Sequence, residues 1–181
     1  MSNGGWTVIQ RRQDGSEDFY RNWEDYRNGF GKRVGEYWFG LENIYHMTIN
    51  STALYIHLET FEQNNVDPFS AYAEYSTFKI NDESDKYRLA IGGYSGSCSD
   101  SMPFQNNQQF STKDSDNDPY SYHCAEIYGG GWWYNTCHFA HLNGMYLGGA
   151  DTDFGRGIIW ESCWGYFYSL KKTVMKIRRN N

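Results

Sequence analysis

The chain has 181 residues, a formal net charge of −6 and 19% aromatic side chains, proportions that suit one folded domain with a single core. The negative balance argues against nucleic acid or an anionic membrane surface as an electrostatic partner. No apolar run approaches the roughly 20 residues of a spanning helix, and Met1-Ser2-Asn3 carries no leader-like stretch. Trp6 to Gln10 (WTVIQ) alternates and reads as a strand, followed by a turn at Gln13-Asp14-Gly15-Ser16. Phe19, Trp23, Tyr26 and Phe30 fall at helical spacing, with early acids and a closing Gly29 and Gly31. That spacing predicts an amphipathic helix over 19–30 whose aromatic stripe faces the core. Glu36 to Tyr45 (EYWFGLENIY) reads as a short helix or turn that packs Trp38 and Leu41 inward. Asn50-Ser51-Thr52 is a glycosylation sequon ahead of a strand. Leu54 to Glu59 and Ser70 to Ile80 alternate cleanly and are expected to pair antiparallel across a polar loop, Gln63 to Pro68. Beyond Tyr87 the pattern fades. From Gly92 to Asp153 the chain is rich in Gly, Ser, Asn and Asp, and long loops inside a compact domain are commonly functional. Lys172 to Arg178 alternates again as a last strand.

The densest chemistry lies between Phe110 and Tyr146. Asp114, Asp116 and Asp118 place three acids in five positions, Cys124 and Cys137 follow, and Tyr128, three glycines, Trp132 and Trp133 lie between the cysteines. Alternating Asp and small polar residues can converge oxygens on a hard cation such as Ca²⁺. An EF-hand does not fit: counting from Asp114, Pro119 stands where a Gly is needed and Ala125 where a bidentate Glu is needed. The competing reading is a solvated acidic turn before a proline. Joined, Cys124 and Cys137 would close a loop that contributes about 3 kcal/mol through chain entropy; two buried free thiols are the alternative. His138 and His141, three apart, are the best case for zinc but lack a second ligand pair.

The strings STKDSDND, CAEIYGGGWWYNTCH and HLNGMYLGG, with GGWTVIQRRQDGSEDFYRNWEDYRNGFG, EYWFGLENI, AYAEYSTFKI, DKYRLAIGGYSG and SLKKTVMKIR, resemble the fibrinogen C-terminal globular domain across nearly the whole chain. The family's usual N-terminal segment, with its own disulfide, does not match here, so the sequence is expected to be a fragment of a longer, multimeric protein. The resemblance implies an α+β fold with a central antiparallel sheet (1–86, with 170–181 returning to it). A loop-rich calcium- and ligand-binding part (87–169) completes it, all in one domain over 1–181.

What the resemblance implies for the site follows residue by residue. Calcium would take the carboxylates of Asp116 and Asp118 and the carbonyls of Tyr120 and Tyr122, with Asp114 beside the site. An acetyl pocket of the ficolin- and tachylectin-like members would fall on Tyr128, Asn135, Thr136, Cys137, His138, Phe154 and Tyr166, with a cis peptide at Thr136-Cys137. Phe154 stands where those members usually have Tyr, so a hydroxyl is lost. Fibrinogen's own pocket grips a basic peptide with acids, and Tyr128 and Gly155 stand at the matching places. The resemblance selects Cys124–Cys137 as a disulfide. Cys98 and Cys163 lie off the family's cysteine positions, and a mutual bond, a bond to another chain and two free thiols all remain open. Cysteine use points to a secreted, extracellular protein.

The leading functional expectation is therefore a calcium-dependent pattern-recognition lectin of innate immunity, binding acetylated sugars or microbial wall glycans. Tyr128, His138, the Trp pair as an aromatic wall, and the absence of pocket acids favour it. The alternative is a protein-interaction module, receptor- or matrix-binding, with calcium as a structural ion. No nucleophile–base–orienter set or paired catalytic carboxylates emerges, so an enzyme is not expected.

Overall fold

A computed structural model describes residues 5–50, 52–62, 68–150 and 152–180. In chain order the elements are β1 (Thr7–Arg12), α1 (Trp23–Asn28), β2 (Phe30–Gly31), β3 (Tyr37–Trp38), α2 (Leu41–Thr48), β4 (Thr52–Glu59), β5 (Ser70–Ile80) and β6 (Leu89–Gly96). Then come α3 (Cys124–Tyr128), β7 (Ala140–His141), β8 (Ile159–Trp160), α4 (Glu161–Trp164) and β9 (Lys172–Arg179). Among the described residues the main sheet has seven strands in the order β2-β3-β1-β9-β4-β5-β6, antiparallel throughout. The β7–β8 pair forms a separate ribbon.

The period-two patterns decide which face is buried. Leu54, Ile56 and Leu58 of β4 sit opposite Tyr75, Ala73 and Ala71 of β5, and opposite Ile177, Met175 and Thr173 of β9. All nine are buried, so one face of the sheet is a continuous row of side chains removed from water. The last strand sits in the middle: β9 pairs with β1 on one side and β4 on the other. The first strand and the chain's end therefore close the sheet together.

Three local expectations change. The helix over 19–30 shrinks to Trp23–Asn28. Asp18 Oδ1 accepts the backbone N–H of Tyr20 at 2.8 Å, a local turn that competes with helix. The helix starts only where Asp114 Oδ1, from the distant acidic loop, accepts the Trp23 N–H at 2.8 Å. The 36–45 stretch splits into strand β3 and helix α2, because Tyr37 and Trp38 pair with β1 and β2 before the chain turns at Gly40. Regular structure also continues past Tyr87: β6 pairs with β5 from Ile80↔Leu89 to Ala73↔Gly96, so the sheet extends beyond residue 86. Its glycines and serines hide the alternation. The 63–67 part of the β4–β5 connection and Ser51 of the sequon lie outside the described residues. Asn50 itself is exposed.

A buried polar knot joins the sheet to the loop-rich half. Gln10 Nε2 donates to the Leu142 carbonyl (2.9 Å) and to Asn143 Oδ1 (3.2 Å), and Thr173 Oγ1 donates to Gln10 Oε1 (3.0 Å). Asn143 Nδ2 passes the chain on to the Gly131 carbonyl at 3.0 Å. Gln10, Asn143 and Thr173 are fully buried, so each lost partner would strand a polar group at about 1–3 kcal/mol. Gln10→Leu, similar in size but mute, is expected to lower unfolding free energy by at least about 2 kcal/mol in urea denaturation; a change within about 0.5 kcal/mol would show that the knot is not structural.

Candidate functional site

The acidic loop folds on its own carboxylates. Asp116 Oδ1 accepts the Asp118 N–H (3.3 Å), Asp118 Oδ1 the Tyr120 N–H (3.1 Å), and Asp118 Oδ2 the Cys124 N–H (3.2 Å). Burial, reinforced by the Asp116 carboxylate beside it, pushes Asp118 up to about 7. Among the described residues, the carbonyls of Tyr120 and Tyr122 accept no backbone hydrogen bond. Asp114 is engaged elsewhere, by Trp23 and by the Thr112 hydroxyl at 2.7 Å.

The loop runs into α3, whose first residue, Cys124, is bonded to Cys137. The helix stops at Gly129, which takes φ +74° and returns its N–H to Ala125; a left-handed residue there favours glycine. The Thr136–Cys137 peptide is cis. Asn135 N–H reaches the Cys137 carbonyl at 2.8 Å and its Nδ2 reaches the Phe104 carbonyl at 3.1 Å. Cys98 and Cys163 are bonded to each other with Cα atoms 5.8 Å apart, which ties the segment after β6 to α4. Their family-independent alternatives, free thiols and a bond to another chain, are thereby closed.

Tyr128, His138, Phe154 and Tyr166 do come together. Ring centroids are 4.7 Å apart for Tyr128 and His138, 6.1 Å for His138 and Tyr166, and 4.6 Å for Phe154 and Tyr166. Tyr166 donates its hydroxyl to the His138 carbonyl at 3.1 Å. Gly155 presses so close to the Tyr128 ring that a Cβ would lie 2.8 Å from it. His138 is buried, and neither ring nitrogen has a hydrogen-bond partner. Burial holds it down to about 3, opposed by the Gly155 backbone, which faces the ring outside hydrogen-bond geometry. Its neighbour His141 is also driven well down by burial and by His138, and shares a 2.9 Å contact with the Tyr134 hydroxyl.

Trp132 and Trp133 are not part of the wall. Both are fully buried; Trp133 donates to the Tyr87 carbonyl at 2.8 Å and packs on Phe110 and Trp38. Sequence adjacency to Tyr128 made them look like a binding surface, but the chain turns inward at Gly131. The residue that takes their place is Phe167, 58% exposed and 5.4 Å from the half-exposed Phe154. It lies in the aromatic run from Trp160 to Tyr168, which does not show in sequence which of its rings faces outward.

Among the described residues no group of three or more His, Cys, Asp or Glu side chains is placed to hold a metal, and no helix is long and apolar enough to cross a membrane. Against known proteins, the family model of the fibrinogen beta and gamma chains' C-terminal globular domain matches residues 1–180. Fibrinogen C domain-containing protein 1 of Xenopus tropicalis is 46% identical over 181 residues, covering 97% of this chain and 38% of that one. Protein 1-A of Xenopus laevis gives the same figures, so the chain spans well under half the length of these relatives. The fibrinogen-like globe domain of human ANGPTL2 superposes with TM-score 0.92 at 46% identity, covering 98% of this chain and 82% of that one. Lamprey fibrin D-dimer, solved with the peptide Gly-His-Arg-Pro-amide, superposes with TM-score 0.89 at 38% identity, covering 98% and 62%. The chain belongs to the fibrinogen C-terminal globular domain family. With its two disulfides, that membership places the domain in extracellular surroundings.

The histidine burial sets an acid limit. An unfolded histidine takes a proton near pH 6.5 and folded His138 only near 3, so the unfolded state binds more protons between those values. The contribution is intact above about 6.5 and is lost as pH falls toward 3. His138→Phe, which keeps a ring and removes the titration, is expected to flatten the acid limb of melting temperature against pH. Parallel limbs in both proteins would contradict the buried, neutral histidine.

Proposed function

We propose that this chain is an extracellular protein-interaction module whose contact surface is the aromatic face built from Tyr128, Phe154, Tyr166 and Phe167. The observation that carries this is the pairing of two exposed phenylalanines, 50% and 58% accessible and in mutual contact, beside the half-buried rings of Tyr128 and Tyr166 and the buried His138. Large aromatic side chains that stay exposed together are what a partner's interface core covers. The likeness to the ANGPTL2 globe domain and to a fibrin domain that takes a peptide supports a protein ligand over a sugar. Tyr128 and Gly155 offer no carboxylate, so a basic knob of the kind in the lamprey complex is not the expected partner. Secretion and a multimeric whole protein, which would raise weak single-site affinity, belong to this proposal.

Calcium enters the proposal as a structural ion. The fit rests on Asp116 and Asp118, two carboxylates of which Asp118 is pushed toward protonation by burial and then by Asp116, and on the unclaimed carbonyls of Tyr120 and Tyr122. When bound, calcium supplies charge neutralisation through oxygen ligands. The chain's part is to hold that loop against α3 through the Cys124 N–H and the Cys124–Cys137 bond, and α3 carries Tyr128.

A second reading keeps one observation of its own. His138 offers two buried, unpartnered ring nitrogens beside Tyr128 and Tyr166, and a small acetylated sugar could satisfy one of them. Calorimetric titration with N-acetylglucosamine, with acetate as competitor, in calcium and in EDTA, separates the two. The expected result is no sugar binding, together with a melting temperature that calcium raises in wild type and not in Asp118→Asn. Sugar binding that acetate displaces would replace the module with the lectin. An equal calcium effect in both proteins would move the ion away from Asp118.

A further inference from the structure

A cleft of about 620 Å³ opens between the Gln13–Tyr20 turn, the Gly144–Leu147 loop, the end of α3 and Arg156. At its base is Arg12, only 1% exposed. Its Nη1 donates to the Gly144 carbonyl at 2.5 Å and to Leu142 at 3.4 Å, and its guanidinium lies 4.0 Å over the Phe19 ring. Its Nε–H has no acceptor. Glu36 is close, at 3.5 Å, but that carboxylate is already taken by three backbone N–H groups: Gln13 (2.7 Å), Asp14 (3.3 Å) and Glu17 (3.0 Å). Those same bonds shape the turn that forms one wall of the cleft.

Arg156 faces the same cleft with the same deficit: its Nε is covered and unpartnered, and its nearest carboxylate, Asp153, is 3.7 Å from Nη1. Arg12 is ion-paired to Glu36 but its Nε–H closes no hydrogen bond, and the Arg156 Nε–H closes none either; two such N–H groups in one cavity suit an anion, and a guanidinium pairs best with a planar carboxylate or a phosphate. The rim decides between them. Glu17, Asp18 and Glu126 stand around the opening and, with the chain's net charge of −6, repel every anion, a multiply charged one more than a single carboxylate. Phe19, Met145 and Tyr146 supply apolar wall for a neighbouring aliphatic group. We propose that this cleft binds an acidic residue followed by an apolar one in an extended segment of a partner protein, the carboxylate between Arg12 and Arg156. The site uses none of the side chains of the aromatic face, so it stands or falls apart from that reading.

The test is an NMR titration that follows the side-chain Nε–H signals of Arg12 and Arg156 in the whole chain. The probes are propionyl-Glu-Leu-amide, propionyl-Gln-Leu-amide and heparin. The Glu peptide is expected to move both signals and to bind at least about tenfold tighter than the Gln peptide, since charge-assisted hydrogen bonds are roughly twice as strong as neutral ones. Arg156→Gln, at a partly exposed side chain that bears no structural bond to the core, is expected to weaken the Glu peptide by about tenfold or more. Equal affinity for the two peptides, no movement of the arginine signals, or an unchanged affinity in Arg156→Gln would overturn the proposal. Heparin moving both signals in place of the Glu peptide would also overturn it, in favour of a polyanion site.

Discussion

The loop-rich half of this domain depends on one buried amide. Gln10 bonds forward to Leu142 and Asn143 and receives Thr173, so the first strand, the last strand and the middle of the chain meet at a single fully buried side chain. A buried polar group is costly unless every valence is used, and here Asn143 hands its remaining donor to Gly131. That bond fixes the point where the chain dives inward and carries Trp132 and Trp133 into the core. The Cys124–Cys137 bond then holds Cys137, and His138 after it, against α3.

The segment between β6 and β9 is then anchored at both ends in the sheet and crossed by two disulfides. Loops so held can keep carboxylates and rings in arrangements that would be unfavourable in a free chain. Asp118 beside Asp116 and His138 buried without a partner are two such arrangements.

Some of this was legible in the residues. The alternation in 54–59, 70–80 and 172–178 declares strands because one face of each is buried and the period is two. The motif strings identify the family and bring Tyr128, His138, Phe154 and Tyr166 to one place. Other features needed the fold. Asp114 trims α1 from across the chain, β6 hides under glycines, and the Cys98–Cys163 bond spans 65 positions with no spacing rule behind it. Whether two adjacent tryptophans line a core or a surface depends on where the chain turns, which local pattern does not contain. Arg12 and Arg156 share a cleft because Arg12 holds the Gly144 carbonyl and the next residue, Met145, donates its N–H to the Arg156 carbonyl at 2.9 Å.

The central claim is that the exposed phenylalanines meet a protein. The most direct measurement is binding of the streptavidin-tetramerised domain to cells of the source organism in calcium. It compares wild type with a Phe154→Ala, Phe167→Ala double variant, before and after surface proteolysis and with N-acetylglucosamine present. The account expects binding that proteolysis and the double substitution abolish and that the sugar leaves unchanged. Binding that survives proteolysis, or that the double variant retains in full, would contradict it.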